Sequence, residues 1–139
     1  MSRKILLKSD KSLKINKRKN FEIKFYEGLL EYHPNFIDVL IPLGDVYTRK
    51  GFYKEGLAVD EKLTQLLPND PIVYYNLACS LSLTSQLEQA LIKLKKAVLL
   101  GYDEFSFMSQ DSDLENVRKL SEYKIFFSKL KRLRNKKHE

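Results

Sequence analysis

Apolar residues recur every three or four positions through the middle of the chain, which is the spacing that places side chains on one face of an α-helix. The pattern predicts four helices, over 36–50, 53–67, 71–83 and 86–100. Gly51 and Gly101 mark two helix ends, because glycine tolerates the left-handed conformation found there. Pro68 marks another, since the residue before a proline is pushed out of the helical region.

Polar residues predict how several helices begin. Ser85 and Glu88 have the spacing of a capping box, so Ser85 is expected to cap the helix over 86–100. Asp113 is expected to cap a short helix, and Asn20 to cap a helix over 21–32. An apolar stripe of that first helix is expected to face the core; it consists of Phe21, Phe25, Leu29 and Tyr32.

The four central helices form a two-helix unit that occurs twice in the sequence. The repeat length equals the separation between Pro34 and Pro68. A shift by this repeat length also places small or apolar residues on residues of the same kind: Leu43 on Leu77, Gly44 on Ala78, Gly56 on Ala90 and Leu57 on Leu91. Gly56 costs roughly 1 kcal/mol of helix propensity relative to alanine, so a neighbouring helix is expected to approach closely there. Such a period is typical of helical solenoids, in which each unit stacks on its neighbour.

This repeat resembles the tetratricopeptide repeat (TPR) family. The residues that carry the resemblance in the first copy are Leu40, Leu43, Gly44, Tyr47, Gly51, Tyr53, Gly56, Leu63 and Pro68. Those of the second copy are Tyr74, Leu77, Ala78, Leu81, Ala90, Leu94 and Ala97. The resemblance implies an all-α fold, a right-handed α-solenoid of antiparallel helix pairs in a short, bacterial-type array. About two full repeats with a capping helix at each end are expected.

The expected domain organisation follows from the repeat and from the charge. A basic N-terminal tail covers 1–19, one helical repeat domain covers 20–130, and a basic tail covers 131–139. Within the domain, the repeats span about 37–70 and 71–104, between caps at 20–34 and 105–130.

The resemblance also implies a concave groove lined by the first helix of each pair. The groove positions map here to Asp38, Ile41, Asp45, Arg49, Ile72, Tyr75, Asn76 and Cys79. Relatives that bind a C-terminal carboxylate use lysine and asparagine in this groove, and only Asn76 matches them. Asp38 and Asp45 carry negative charge where lysine and asparagine would be needed, so that clamp is rejected, and a partner with Lys/Arg and apolar anchors is favoured. The expected function is a noncatalytic protein–protein interaction module, an adaptor or complex subunit that binds a peptide or helix of an unidentified partner protein.

Basic residues are concentrated at the two ends of the chain. Residues 1–19 carry a formal net charge of +7 and residues 124–139 carry +6, whereas the segment between them carries −6. The residues assigned to electrostatic contact are Lys17, Arg18, Lys19, Lys131, Arg132 and Arg134. Two alternatives follow: weak nucleic-acid association through the tails, and self-assembly into a homo-oligomer, because so short an array leaves open end faces.

Candidate chemistry is sparse. His33 and His138 do not pair with Cys79 at metal-ligand spacing, and no glycine-rich phosphate loop occurs, so no cofactor, no metal and no enzymatic activity are expected. The lone Cys79 cannot form an internal disulfide, and a structural thiol in a reducing, cytoplasmic compartment is expected. No apolar run approaches the roughly 18 residues of a membrane helix, so no membrane insertion is expected.

Overall fold

Eight α-helices and one short 3₁₀-helix make up the part of the chain that the computed structural model describes, residues 21–137. They are α1 Phe21–Tyr32, α2 Ile37–Arg49, α3 Tyr53–Leu66, α4 Pro71–Leu83, α5 Leu87–Leu99, α6 Phe105–Gln110, the 3₁₀-helix Ser112–Leu114, α7 Glu115–Arg118 and α8 Ser121–Lys137. Within these residues the chain is all-α, as predicted, and the four central helices have nearly the predicted bounds. The expected cap Asn20 lies outside the described residues.

Residues with positive φ end three helices. Gly51 has φ +86° after α2, and Gly101 has φ +116° after α5, as predicted. Ser85 has φ +63° after α4, so it forms the turn out of that helix rather than capping the next one. The predicted capping box is therefore wrong: Gln86 precedes α5 and makes no side-chain cap. The physical reason is that Ser85 lies one repeat length after Gly51 and takes the same left-handed conformation.

Two aspartates cap helices near the centre of the molecule. The Asp70 carboxylate accepts hydrogen bonds from the backbone N–H of Ile72 at 2.9 Å and of Val73 at 3.3 Å, and so caps α4. Asp111, not the predicted Asp113, caps the 3₁₀-helix, because Asp111 Oδ1 accepts from the Asp113 N–H at 3.0 Å. Each cap satisfies donors that a helix start leaves without an intrahelical partner.

From α1 to α5, helices that are neighbours in the sequence are neighbours in space, since α1 packs on α2, α2 on α3, α3 on α4 and α4 on α5. Helices α2 and α3 run antiparallel: Thr48 near the end of α2 faces Gly56, whereas Gly44 earlier in α2 faces Val59 later in α3. A Cβ added to Gly56 would lie 2.9 Å from Thr48 Oγ1, so the predicted close approach is confirmed.

Two clusters of apolar side chains form the core. One joins α1, α2 and α3 around Leu43 and Val46, and the other joins α4 and α5 to the C-terminal helices around Leu94 and Leu114. Those four side chains are at most 1% exposed. Within residues 21–137, no helix combines the length and the apolar character needed to cross a membrane.

The inward face of α1 differs from the predicted stripe. Ile23 is fully buried, with Tyr26 and Leu30 half-buried beside it. Phe21 is 83% exposed and Tyr32 is 82% exposed. Apolar residues lie all around α1, so the pattern within α1 does not specify which face is buried. The packing of α1 against α2 decides it.

Candidate functional site

A cleft of about 570 Å³ opens between α2, α4 and residues 103–114, here called the connector, which follow α5. Six of the eight predicted groove residues line it: Ile41, Asp45, Ile72, Tyr75, Asn76 and Cys79. The other two do not. Asp38 is exposed outside the cleft, and Arg49 lies at its edge, where its Nε is 2.9 Å from Asp45 Oδ2 in a solvent-exposed ion pair.

The charged residues that line the cleft all have the same sign. Five aspartates contribute, from α2, α3, the start of α4 and the connector: Asp45, Asp60, Asp70, Asp111 and Asp113. No lysine, arginine or histidine is among the lining residues. Of these five, only Asp45 was a predicted groove residue, because the other four lie outside α2 and α4, the helices expected to line the groove. In the described part of the chain, no group of His, Cys, Asp or Glu side chains is arranged to hold a metal ion.

Asp60 is the most buried of these carboxyl groups, with 6% of its surface exposed. Burial raises its pKa to about 6, with a smaller contribution from the charge of Asp45, and a hydrogen bond donated by Ser80 Oγ opposes the rise. Asp113 is half-buried, and its pKa is also raised, first by burial and then by the charges of Asp111 and Asp45. Negative charge is thus crowded in the cleft, and a cation placed there would be stabilised.

Tyr75 supports the cleft wall rather than offering an open contact surface. The residue is 5% exposed, its ring stacks on Tyr102 with centroids 4.3 Å apart, and its hydroxyl donates to Asp111 Oδ2 at 2.6 Å. Burial, assisted by Cys79 and Asp111, raises the pKa of Tyr75, so its hydroxyl stays protonated. Tyr75 is one of the groove positions that the TPR resemblance implied, and it lines the cleft, but the sequence did not reveal that its ring is covered.

Cys79 is buried beside the same carboxylate. Its Sγ lies 3.8 Å from Asp111 Oδ2, and 6% of the residue is exposed. Burial, followed by the charges of Asp111, Asp113 and Asp60, raises the pKa of the thiol well above its ordinary value. Because the thiolate is the reactive form, these surroundings suit the predicted structural role of Cys79.

Exposed apolar side chains border the carboxylates. Ile41 is 47% exposed, Ile72 is 52% exposed and Phe107 is 54% exposed. Met108, the neighbour of Phe107, is fully buried in the core, and Phe105 is partly buried against it. No local signal could have separated Phe107 from Met108, since the short helix α6 decides which of them points inward.

Hydrogen bonds from outside the cleft hold the connector in place. Arg118 Nη1 donates to the carbonyl oxygens of Met108 at 3.0 Å and Asp111 at 2.5 Å. The Val117 N–H donates to Ser82 Oγ at 3.3 Å, which ties α7 to α4. The two connector aspartates that line the cleft, and Phe107 with them, are thereby fixed against α4.

The basic residues assigned to electrostatic contact fall into two groups. Lys17, Arg18 and Lys19 lie outside the described residues. On α8, Lys131 Nζ lies 5.1 Å from the centroid of the Phe127 ring, and the Arg134 guanidinium lies 5.8 Å from that of Phe105. Arg132 is exposed and has neither a ring contact nor an ion pair among the described residues.

Comparison with known proteins gives a partial similarity. No family model matches the chain. Over 83 residues the chain is 30% identical to a chloroplastic protein of Arabidopsis thaliana. The alignment covers 55% of this chain and 24% of that protein, so the chain corresponds to a minor part of the relative's length.

Proposed function

We propose that this chain is a noncatalytic protein–protein interaction module of the TPR type, an adaptor or complex subunit whose cleft binds a peptide or helix of a partner protein. The repeat supports the proposal: α2 and α4 begin at Ile37 and Pro71, and α3 and α5 begin at Tyr53 and Leu87, in each case one repeat length apart. In this proposal the two pairs are successive turns of a right-handed α-solenoid, with α1 and the C-terminal helices as caps.

The observation that carries the proposal is the cleft itself. Its lining includes six of the residues that the TPR resemblance had implied as groove positions. It also combines an apolar border with polar groups that would fix the orientation of a bound segment, which is the usual composition of a binding site. Most of the binding energy is assigned to the three exposed apolar residues of the border, Ile41, Ile72 and Phe107, because a few buried anchors dominate such interfaces.

The chemistry of the lining residues supports a noncatalytic role. Asp111 accepts hydrogen bonds from Tyr75 and from the connector backbone, and the carboxylate of Asp60 is engaged by Ser80. Raised pKa values keep the Tyr75 hydroxyl and the Cys79 thiol protonated, so neither is an activated nucleophile. The proposed location is cytoplasmic, which rests on the single, buried cysteine.

Site-specific photocrosslinking tests the proposal. A photoreactive amino acid replaces Ile72 in the cleft and, as a matched control, Ile92 on α5, which is outside the cleft and equally exposed at 53%. In cells of the source organism, the Ile72 probe is expected to crosslink one defined protein segment that the Ile92 probe does not capture. Equal capture by both probes, or capture by neither, would contradict a role for the cleft.

A synthetic peptide with the crosslinked sequence then tests the proposed anchors. Ile72→Ala with Phe107→Ala is expected to weaken peptide binding at least tenfold, because truncating an anchor costs more than about 1 kcal/mol. The control Ile92→Ala should leave the affinity unchanged. Isothermal titration calorimetry measures both, and equal affinities would show that the captured segment binds elsewhere.

A further inference from the structure

One face of α8 carries exposed cations and apolar groups that nothing in the described part of the chain covers. It consists of Ile125, Lys129, Arg132, Leu133 and Lys136, here called the α8 stripe, which follow one another at helical spacings of one turn or one residue. Ile125 is 57% exposed and Leu133 is 64% exposed. The three cations make no ion pair or ring contact within residues 21–137, unlike Lys131 and Arg134 on the adjacent face.

The α8 stripe and the cleft are complementary in charge and in polarity. The cleft has five aspartates in its lining, and its border is apolar. In the part of the chain that the structure describes, only Asp45 of these five pairs with a cation, Arg49 at the cleft edge. The stripe has three cations interspersed with two aliphatic residues. Opposite charges across an interface guide association and fix its register, while apolar contacts supply most of the affinity.

We propose that the cleft of one molecule binds the α8 stripe of a second copy of the same chain. The inference rests on the proposed function, in that it takes the cleft as a binding site and names its partner. In this arrangement the side chains of the last turns of α8 lie in the cleft, with cations beside Asp45 and Asp113 and with Leu133 against the apolar border.

A contact between α8 and the cleft of its own molecule is excluded by how α8 is anchored. Leu130 is buried at 7% exposure, Tyr123 is buried at 3%, and Arg134 lies over the Phe105 ring. An α-helix is rigid over these few turns, so its exposed face cannot fold back without breaking those contacts. The complementarity can therefore be satisfied only between molecules.

The two surfaces are different patches of the molecule, so the contact is heterologous. Such a contact propagates from one molecule to the next and produces either a ring or an open chain. Screening by salt should weaken it strongly, because the Debye length falls from about 10 Å at 0.1 M to about 3 Å at 1 M ionic strength.

Sedimentation equilibrium of the full-length chain and of charge variants tests the proposal. Asp45→Lys with Asp113→Asn alters the cleft, and Arg132→Glu with Lys136→Glu alters the stripe. The wild type is expected to exceed its monomer mass of 16.4 kDa increasingly with concentration at 0.1 M salt, and to return to that mass at 1 M salt. Each variant alone should remain at 16.4 kDa.

An equimolar mixture of the two variants gives the most specific outcome. The intact stripe of the cleft variant meets the intact cleft of the stripe variant, so association should be restored and should stop at two chains. Glu31→Lys with Glu61→Gln changes the net charge as much as the cleft variant does, at exposed positions outside the cleft, and should self-associate like the wild type. Circular dichroism confirms that every variant is folded.

Several results would overturn the inference. A wild type that stays monomeric, or one whose association survives both variants, shows that the two surfaces do not meet. Loss of association in the cleft variant alone assigns the cleft to another cationic segment, such as residues 1–19. Salt-dependent nucleic-acid binding that only the stripe variant loses, without self-association, assigns the stripe to nucleic acid. If the Ile72 probe still captures a different protein in any of these cases, the proposed function stands while this inference fails.

Discussion

The two helix pairs have the same spacing but are closed differently at their outer ends. Before the first pair, α1 contributes one fully buried side chain, Ile23. After the second pair, the C-terminal helices contribute three: Met108, Leu114 and Val117. Burial of apolar side chains stabilises the elements that pack together, so the C-terminal helices are expected to stabilise the second pair more than α1 stabilises the first.

The junctions between helices also differ in chemistry. Between the two pairs, Ser80 of α4 donates a hydrogen bond to the buried Asp60 of α3. At the positions one repeat length later, Leu94 and Leu114 are both fully buried in one apolar cluster. The inner junction, between α3 and α4, borders the cleft and has a polar pair. The outer junction, between α5 and the 3₁₀-helix, is apolar at the equivalent positions. A buried polar pair is weak evidence of stability. Four predictions test this contrast.

The largest expected effect is at the outer junction. Leu114→Ala should lower the free energy of unfolding by about 3 kcal/mol, through lost burial and the cavity left behind. The matched control is Leu99→Ala, where the leucine is 84% exposed and the expected change is within about 0.5 kcal/mol. Urea denaturation measures both, and similar losses would mean that the C-terminal helices do not close the core as described.

A smaller loss is expected where the connector is held against the second pair. Arg118→Met should destabilise the chain by about 2 kcal/mol, because two carbonyl oxygens lose a charged donor. Lys119→Met, an exposed neighbour, is the control. If hydrogen exchange showed no faster opening of 105–114 in Arg118→Met than in the control, Arg118 would not be what fixes the connector.

At the inner junction, acidification should stabilise the folded chain. Because the folded-state pKa of Asp60 is about 6 against an ordinary 3.8, the folded chain retains a proton that the unfolded chain releases. The contribution of Asp60 to stability is therefore present below about pH 4 and is lost as the pH rises through 6. Relative to Asp60→Asn, the wild type should gain about 1–2 kcal/mol between pH 7.5 and pH 5.

Urea midpoints of the two proteins at both pH values measure this difference. The raised pKa of Asp113 acts in the same direction. Since Asp113 is present in both proteins, its effect largely cancels in the comparison. Parallel pH profiles would show that Asp60 is not the group responsible.

The smallest effect concerns the turns that end the first helix of each pair. Ser85→Gly should raise the free energy of unfolding by about 0.5–1 kcal/mol, because glycine adopts a positive φ without the steric cost that serine bears. The reciprocal Gly51→Ser should lower it by a similar amount. Thermal denaturation measures both. If the two substitutions changed the free energy of unfolding in the same direction, the two turns would not be equivalent.

Much of the fold could be predicted because it depends on local properties of the chain. The bounds of α4, 71–83, follow from Pro71 at its start and from the apolar spacing along it. Gly51 and Gly101 end their helices through backbone freedom that no neighbour has to supply. Gly56 indicated a close helix contact, because a glycine within a helix is costly unless something approaches it.

The candidate site could be predicted only where it depends on the repeat. Asp45, Ile72 and Cys79 were groove positions that the TPR resemblance implied, and they line the cleft. Asp111 and Phe107 enter the cleft from the connector, which lies beyond the second helix pair and is held there by Arg118. The positions of Asp111 and Phe107 depend on how the connector folds, and the sequence repeat does not extend into the connector.

The sequence by itself therefore determined the four central helices and the ends at Gly51 and Gly101, since these depend on side-chain period and on backbone conformation within one turn. Only the tertiary structure decided which face of α1 is buried, as Ile23 and Phe25 offer comparable apolar surface on opposite sides. It also decided that Tyr75 turns inward to Asp111 and that five aspartates share one cleft. Burial and charge clustering are properties of distances between segments, and a linear pattern does not specify those distances.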